Sequence, residues 1–156
     1  MTGRGSDRDA DPAARLSRRQ LLAVALVPAL PAQATPESLL AAIQAFTGGA
    51  PLNGGRVQLE VAPLVENGNT VPVSLSVASP MTEADHVTAL ALFTQRNPQP
   101  EVAVFQLSPR NGRARVDTRI RLATSQQLVA VARLSDGSFW QQRVDVVVTL
   151  AACVEG

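Results

Sequence analysis

The groups in this chain that could carry out chemistry are few. Its 156 residues include one cysteine, Cys153, and one histidine, His86. A lone cysteine excludes both an internal disulfide and a multi-thiolate zinc or iron–sulfur site. A metal centre built from several histidines is excluded by the same counts. The remaining candidates are a reactive thiol at Cys153 and a base at His86.

Cys153 lies three residues from the carboxyl end, just after an apolar run. Chain ends are poorly ordered unless they are tied down, so the sequence predicts an exposed thiol. In an exported protein, an unpaired cysteine indicates intermolecular pairing or a reactive thiol more often than an incidental residue. The small residues Ala151 and Ala152 before it would let the thiol enter a pocket of another protein.

His86 ends the segment Thr82–His86, which places a possible base beside Glu83 and Asp85. Such a cluster is more often a solvated turn that leads into a strand, and we expect a turn here. Basic residues also line one or both faces of a predicted hairpin, where they form either a solvated strand face or an electropositive strip that attracts an anion or an acidic partner. These basic residues are Arg113, Arg115, Arg119 and Arg121.

Composition narrows the function classes further. The chain is 46% apolar and 17% charged with a formal net charge of +1, which is too apolar for an intrinsically disordered protein. Near-neutral charge argues against a nucleic-acid binder, since that function needs a strongly basic surface. One cysteine, one histidine and two methionines also make a metal-delivery module a weak alternative. The length indicates about one domain.

Residues 1–34 are predicted to be a cleaved export signal. Arg18 and Arg19 precede the apolar run Leu21–Leu30, and an Ala-Gln-Ala site follows it. The paired arginines indicate the twin-arginine route. An apolar run of this length is too short to cross a bilayer, which takes about 20 residues. We therefore expect a periplasmic mature chain, residues 35–156, that has no membrane segment.

Apolar periodicity predicts one short helix followed by seven strands. The helix covers Pro36–Phe46, with Thr35 as N-cap and a Gly-Gly pair as its end. The later segments alternate with period two and are separated by Asn-Gly and Asp-Gly turns. This pattern favours an all-β fold, an immunoglobulin-like antiparallel β-sandwich of about seven strands. The seven segments are 57–61, 71–77, 87–92, 102–107, 116–122, 128–134 and 139–149.

Several segments of the mature chain resemble the SoxY family of sulfur-oxidation carriers. The carboxyl-terminal strand, which runs into a cysteine, matches that family in kind and position. The likeness extends over essentially the whole of residues 35–156. The other segments that carry it are Pro63–Val73, Asn97–Pro100 with Val102–Phe105, Thr118–Ala123 and Ala132–Gly137.

The resemblance implies a covalent carrier that is not itself an enzyme and has no cofactor. SoxY-like sandwiches pair with a second sandwich subunit, SoxZ, and carry sulfur intermediates on a terminal cysteine. The haem enzyme SoxXA loads thiosulfate, SoxB releases sulfate, and in some organisms SoxCD oxidises the remaining sulfur. By this resemblance Cys153 would carry the substrate. It would sit on a swinging arm at about residues 150–156, with Ala151, Ala152, Val154, Glu155 and Gly156 around it.

The arm departs from the family's best-known ending, Gly-Gly-Cys-Gly-Gly. Alanines precede Cys153, and Val154 and Glu155 follow it, so the arm is stiffer and bulkier than a glycine arm. The sequence therefore leaves open which sulfur species is carried and which enzymes accept this arm. The alternative function is a structural or adhesion β-sandwich that dimerises through a Cys153 disulfide. That alternative predicts a reducible dimer without sulfur adducts.

Overall fold

A computed structural model describes residues 35–152 of the chain. The predicted export signal at residues 1–34 lies outside the described residues, as do Cys153, Val154, Glu155 and Gly156.

The helix α1 covers Pro36–Thr47, which confirms the predicted start and extends one residue beyond the predicted last residue, Phe46. The Thr35 side chain accepts a hydrogen bond from the Ser38 amide at 3.3 Å, and the Thr35 amide donates to the Ser38 hydroxyl at 2.7 Å. These two bonds form a capping box, which satisfies amides at the helix start. Gly48 has φ 64° and ends the helix in the left-handed conformation that glycine adopts at low cost.

Among residues 35–152, nine strands follow the helix, and each of the seven predicted segments overlaps one of them. The prediction missed two short strands, β1 and β3, which consist of only three and two residues and are too short to show a period of two. A 3₁₀ turn, Pro109–Asn111, precedes β7. The strands are β1 Leu52–Gly54, β2 Val57–Glu60, β3 Leu64–Val65, β4 Val71–Val77, β5 Val87–Thr94, β6 Glu101–Gln106, β7 Arg115–Ile120, β8 Gln126–Leu134 and β9 Phe139–Val148.

The strands form two sheets. The larger sheet has the order β1-β9-β8-β5-β6, and the smaller has the order β2-β4-β7. Most neighbours are antiparallel, as predicted, but β1 and β3 both pair in parallel with β9, at its start and at its end. Strand β9 is therefore paired with β3 right up to Val148.

The main core lies between the two sheets. Strands β2 and β4 of the small sheet alternate buried and less buried residues, which confirms the predicted period of two. Strands β5 and β8 are buried almost throughout, because α1 covers the outer face of the large sheet through Leu39 and Ile43. Burial on both faces explains why the predicted segment at 87–92 alternates poorly. Phe46 of the helix meets Phe93 edge to face, with ring centroids 5.9 Å apart.

No helix among residues 35–152 has the length and apolar character needed to cross a membrane.

Candidate functional site

Strand β9 leads into residues 149–152, called here the arm base, and backbone hydrogen bonds hold this segment on the sandwich. The Thr149 amide donates to the Val65 carbonyl at 3.0 Å. The Leu150 carbonyl accepts from the Gly68 amide at 2.8 Å. The Ala152 amide donates to the Leu122 carbonyl at 3.1 Å, and Ala152 is only 6% exposed. Cys153, the next residue of the chain, is thus attached to a fixed and partly buried segment.

The predicted arm residues in this region have contrasting environments. Ala151 is exposed, whereas Ala152 is buried and hydrogen-bonded through its backbone. Leu150 has an exposed side chain but a hydrogen-bonded carbonyl. The assignment of the arm to residues 150–156 stays a prediction.

The loop between β7 and β8 holds the arm base from a second direction. The Val148 amide donates to the Ser125 hydroxyl at 2.8 Å. The Leu122 amide donates to the Gly68 carbonyl at 2.8 Å, while the Leu122 carbonyl accepts from Ala152. Leu122 itself is fully buried in the main core. The arm base is therefore connected to the core through the backbones of two core residues, Leu122 and Val65.

Two amide side chains fix the same loop. The Asn97 side chain donates to the Arg121 carbonyl at 2.8 Å and accepts from the Ala123 amide at 3.0 Å, on either side of Leu122. The buried Gln126 side chain donates to the Asn97 side chain at 2.9 Å and to the Thr124 carbonyl at 3.1 Å. A buried, fully paired amide of this kind holds a loop in a single conformation.

Three of the segments that resemble the SoxY family meet at the arm base. Gly68 belongs to Pro63–Val73, Asn97 begins the second segment, and Leu122 belongs to Thr118–Ala123. Sequence reasoning singled out these segments but did not place them together. It missed Ser125 and Gln126 altogether, because neither residue type nor spacing distinguishes them from the other polar residues at the start of β8.

We expect Gln126→Ala to destabilise the sandwich by about 1–3 kcal/mol, because it leaves buried polar groups unpaired. The Gln126 side chain also accepts from the Arg96 amide at 2.8 Å, and that amide would lose its partner. Urea unfolding monitored by far-ultraviolet circular dichroism measures the loss. The control is Gln127→Ala, whose side chain binds the exposed Asp145 and Arg143, with an expected change within about 0.5 kcal/mol. Equal stabilities of the two variants would contradict the role of Gln126.

Exposed apolar side chains flank the arm base. Leu64 of β3 and Val147 of β9 are direct register partners and are 57% and 54% exposed. Leu150 in the arm base is 61% exposed. Three large apolar side chains are therefore exposed at this end of β9.

His86 lies in the turn directly before β5. Its Nδ1 atom is 2.9 Å from the Thr82 carbonyl oxygen, to which it donates, within the predicted turn before β5. The Asp85 amide donates to the Thr82 hydroxyl at 3.1 Å and closes the same turn. The polar groups of this cluster thus stabilise one another, in agreement with the turn expected at this position.

The predicted arginine strip is interrupted by an acid. Arg115 donates to Asp117 at 2.9 and 3.0 Å on the outer face of β7, and Ser74 of β4 also donates to Asp117. The hydrogen bonds from Arg115, followed by the bond from Ser74, lower the pKa of the Asp117 carboxyl below its ordinary value. Because Asp117 offsets the charge of Arg115, the exposed Arg119 is the remaining basic residue of β7 on this face. This surface is a solvated strand face.

Among residues 35–152, no three His, Cys, Asp or Glu side chains come together in a way that could hold a metal ion.

The fold and the arm base together define a class: a two-sheet β-sandwich whose last described strand is fixed at its carboxyl end and is followed, after the arm base, by a single cysteine. The family model for the sulfur oxidation protein SoxY matches residues 43–153, a segment that ends on that cysteine. The chain belongs to the SoxY family. This result confirms the resemblance on which the sequence interpretation depends.

Solved structures show the same fold. The sulfur carrier protein SoxY from Chlorobium limicola f thiosulfatophilum is 30% identical, with a TM-score of 0.62 over 73% of this chain and 98% of that one. The superoxide reductase (neelaredoxin) from Ignicoccus hospitalis is 18% identical, with a TM-score of 0.54 over 60% of this chain and 80% of that one. At that identity the likeness to the superoxide reductase concerns the fold alone. Comparison with curated protein sequences gives no match.

Proposed function

We propose that this chain is a periplasmic carrier that holds sulfur-oxidation intermediates covalently on the Cys153 thiol and presents them to partner enzymes. The observation that carries this proposal is the match to the SoxY family, which extends through Cys153 itself. The likeness to a sulfur carrier protein over 98% of that protein's length adds support. The carrier turns over no substrate alone and acts as a cosubstrate.

The arm base fits the physical needs of a carrier. A carried group must stay attached to a stable body while it is presented to other proteins. The arm base supplies that attachment, since Thr149, Leu150 and Ala152 are hydrogen-bonded to the end of β3, to the turn that follows it and to the loop between β7 and β8. Tethering also keeps an intermediate at high effective concentration for each later step.

Loading on the proposed pathway is an oxidation. Thiosulfate and the Cys153 thiol join through a new S–S bond, and the step releases one proton and two electrons, which the haem enzyme of a SoxXA type accepts. Hydrolysis by a SoxB-type enzyme then uses one water to release the terminal group as sulfate and leaves a persulfide on Cys153. A SoxCD-type enzyme would oxidise that remaining sulfur where it is present.

Family membership also supports the proposed partners and location. A SoxZ-like β-sandwich is the proposed stable partner in a heterodimer, and the enzymes bind transiently. Export through the twin-arginine route, proposed from the pair Arg18 and Arg19, fits a protein that folds before it crosses the membrane. The proposal involves neither nucleic acid nor membrane insertion, and no cofactor beyond the sulfur adduct.

The direct test is the intact mass of the mature protein purified from the cells that make it, measured with and without a reductant. We expect a reducible mass gain, located on the peptide that contains Cys153, that corresponds to sulfane sulfur or a thiosulfate-derived group. A clean free thiol, or a homodimer disulfide alone, would overturn the carrier function. The disulfide outcome would favour the structural or adhesion sandwich instead.

A further inference from the structure

Gly68 lies in the turn between β3 and β4 and is buried against the arm base. Its amide donates to the Leu150 carbonyl, and its carbonyl accepts from the Leu122 amide, both at 2.8 Å. The Leu122 carbonyl in turn accepts from the Ala152 amide at 3.1 Å. These three backbone bonds, called here the latch, connect three distant parts of the chain in one row.

The close packing at Gly68 leaves no room for a side chain. A Cβ atom placed there would lie 2.4 Å from the Leu122 carbonyl oxygen and 2.9 Å from the Ala152 nitrogen. Both are backbone atoms of the latch itself, so they cannot move aside without breaking it. Gly54 offers the contrast, since a Cβ there meets nothing within 4 Å and its φ is not in the left-handed region. Glycine at position 68 is thus required by close backbone approach.

We infer that Gly68 is a positioning residue whose latch fixes the arm base and thereby sets how far Cys153 can reach. The inference deepens the proposed function, on which its biological meaning rests. With the latch closed, the Cα of Cys153 lies one peptide unit, about 3.8 Å, from the Cα of the fixed Ala152. A thiol held in this way serves only a shallow site on a partner.

Opening the latch changes that reach. The next attachment point back along the chain is Thr149, whose amide is bound to the Val65 carbonyl. Four peptide units join the Cα of Thr149 to the Cα of Cys153, and an extended chain of that length spans up to about 14 Å. Opening therefore adds about 10 Å of reach, enough for the thiol to enter a deep pocket. The latch distinguishes a short arm from a long one in the same molecule.

The first test compares Gly68→Ala with the matched control Gly54→Ala in the full mature chain, by amide hydrogen exchange. We expect Gly68→Ala to reduce protection of the Ala152 and Leu122 amides about tenfold while the β8 amides keep theirs. Gly54→Ala should leave all of them unchanged. An Ala152 amide that is unprotected in the natural chain, or equally protected in Gly68→Ala, would overturn the inference.

The second test measures reach directly. Spin labels on Cys153 and on an added cysteine at the exposed Gln58 give a distance distribution by double electron–electron resonance. We expect Gly68→Ala to widen the distance distribution by several ångströms relative to Gly54→Ala. Identical distributions in the two variants would refute the inference that the latch sets the reach of Cys153. If Gly68→Ala fails to fold, Ala152→Pro removes the latch donor at the last described residue and must widen the distribution in the same way.

Both readouts are independent of sulfur chemistry. A protein that never carries sulfur on Cys153 can still show a latch, which would refute the proposed function alone. A protein that carries sulfur with an unprotected Ala152 amide would refute the latch alone.

Discussion

Replacing Cys153 with serine is expected to abolish sulfur loading and to reduce carrier-dependent thiosulfate oxidation to background. The attacking species in thiol chemistry is the thiolate, and a serine hydroxyl is not ionised at neutral pH. The chain contains no other cysteine that could substitute. Intact mass after incubation with thiosulfate and the partner enzymes measures loading, and thiosulfate consumption measures turnover.

The matched control for this experiment is Ala151→Ser. Ala151 is exposed and lies two positions before Cys153, so the control adds a hydroxyl to the arm without removing the thiol. We expect it to load sulfur as the natural chain does. The Ala151→Ser variant should keep the unfolding midpoint of the natural protein, since Ala151 is exposed. A sulfur adduct on the Cys153→Ser chain would place the carrier site elsewhere and contradict the proposal.

Much of the fold can be predicted from the sequence because its signals are local. A capping residue, an apolar stripe and a glycine end define α1 within a dozen positions. Alternation and Asn-Gly or Asp-Gly turns define the seven longer strands in the same way. The two short strands β1 and β3 carry no such signal, because their existence depends on pairing with β9, far away in the chain. That pairing is a property of the folded sandwich.

The candidate site, like the fold, could be predicted only where its signals are local. Cys153 could be singled out because it is a cysteine, because the chain has no other cysteine, and because it lies near the carboxyl end. The arm base could not, because Gly68, Leu122 and Ala152 contact one another through backbone groups that every residue carries. The available signal is the glycine in Asn67-Gly68-Asn69, and a turn explains it equally well. The close approach that makes Gly68 necessary is visible only once the strands are placed.

Leu122→Ala is expected to cost about 2–5 kcal/mol of the free energy of unfolding, the usual range for a buried leucine whose cavity only partly closes. The Leu122 side chain is fully buried in the core between the sheets. Its backbone also joins the arm base to the Gly68 turn. Urea unfolding of the mature chain, followed by circular dichroism, measures the cost.

Leu150→Ala supplies the matched control, since it removes the same atoms from a leucine that is 61% exposed and only 28 residues further along the chain. Its expected effect is within about 0.5 kcal/mol. The comparison separates the burial of a leucine side chain from its mere presence near the arm base, because the Leu122 side chain stabilises the sandwich whereas the Leu150 side chain contacts solvent. A folded Leu122→Ala chain should still load sulfur on Cys153, since the thiol is unchanged. A cost below about 1 kcal/mol would contradict the burial of the Leu122 side chain in a closely packed core.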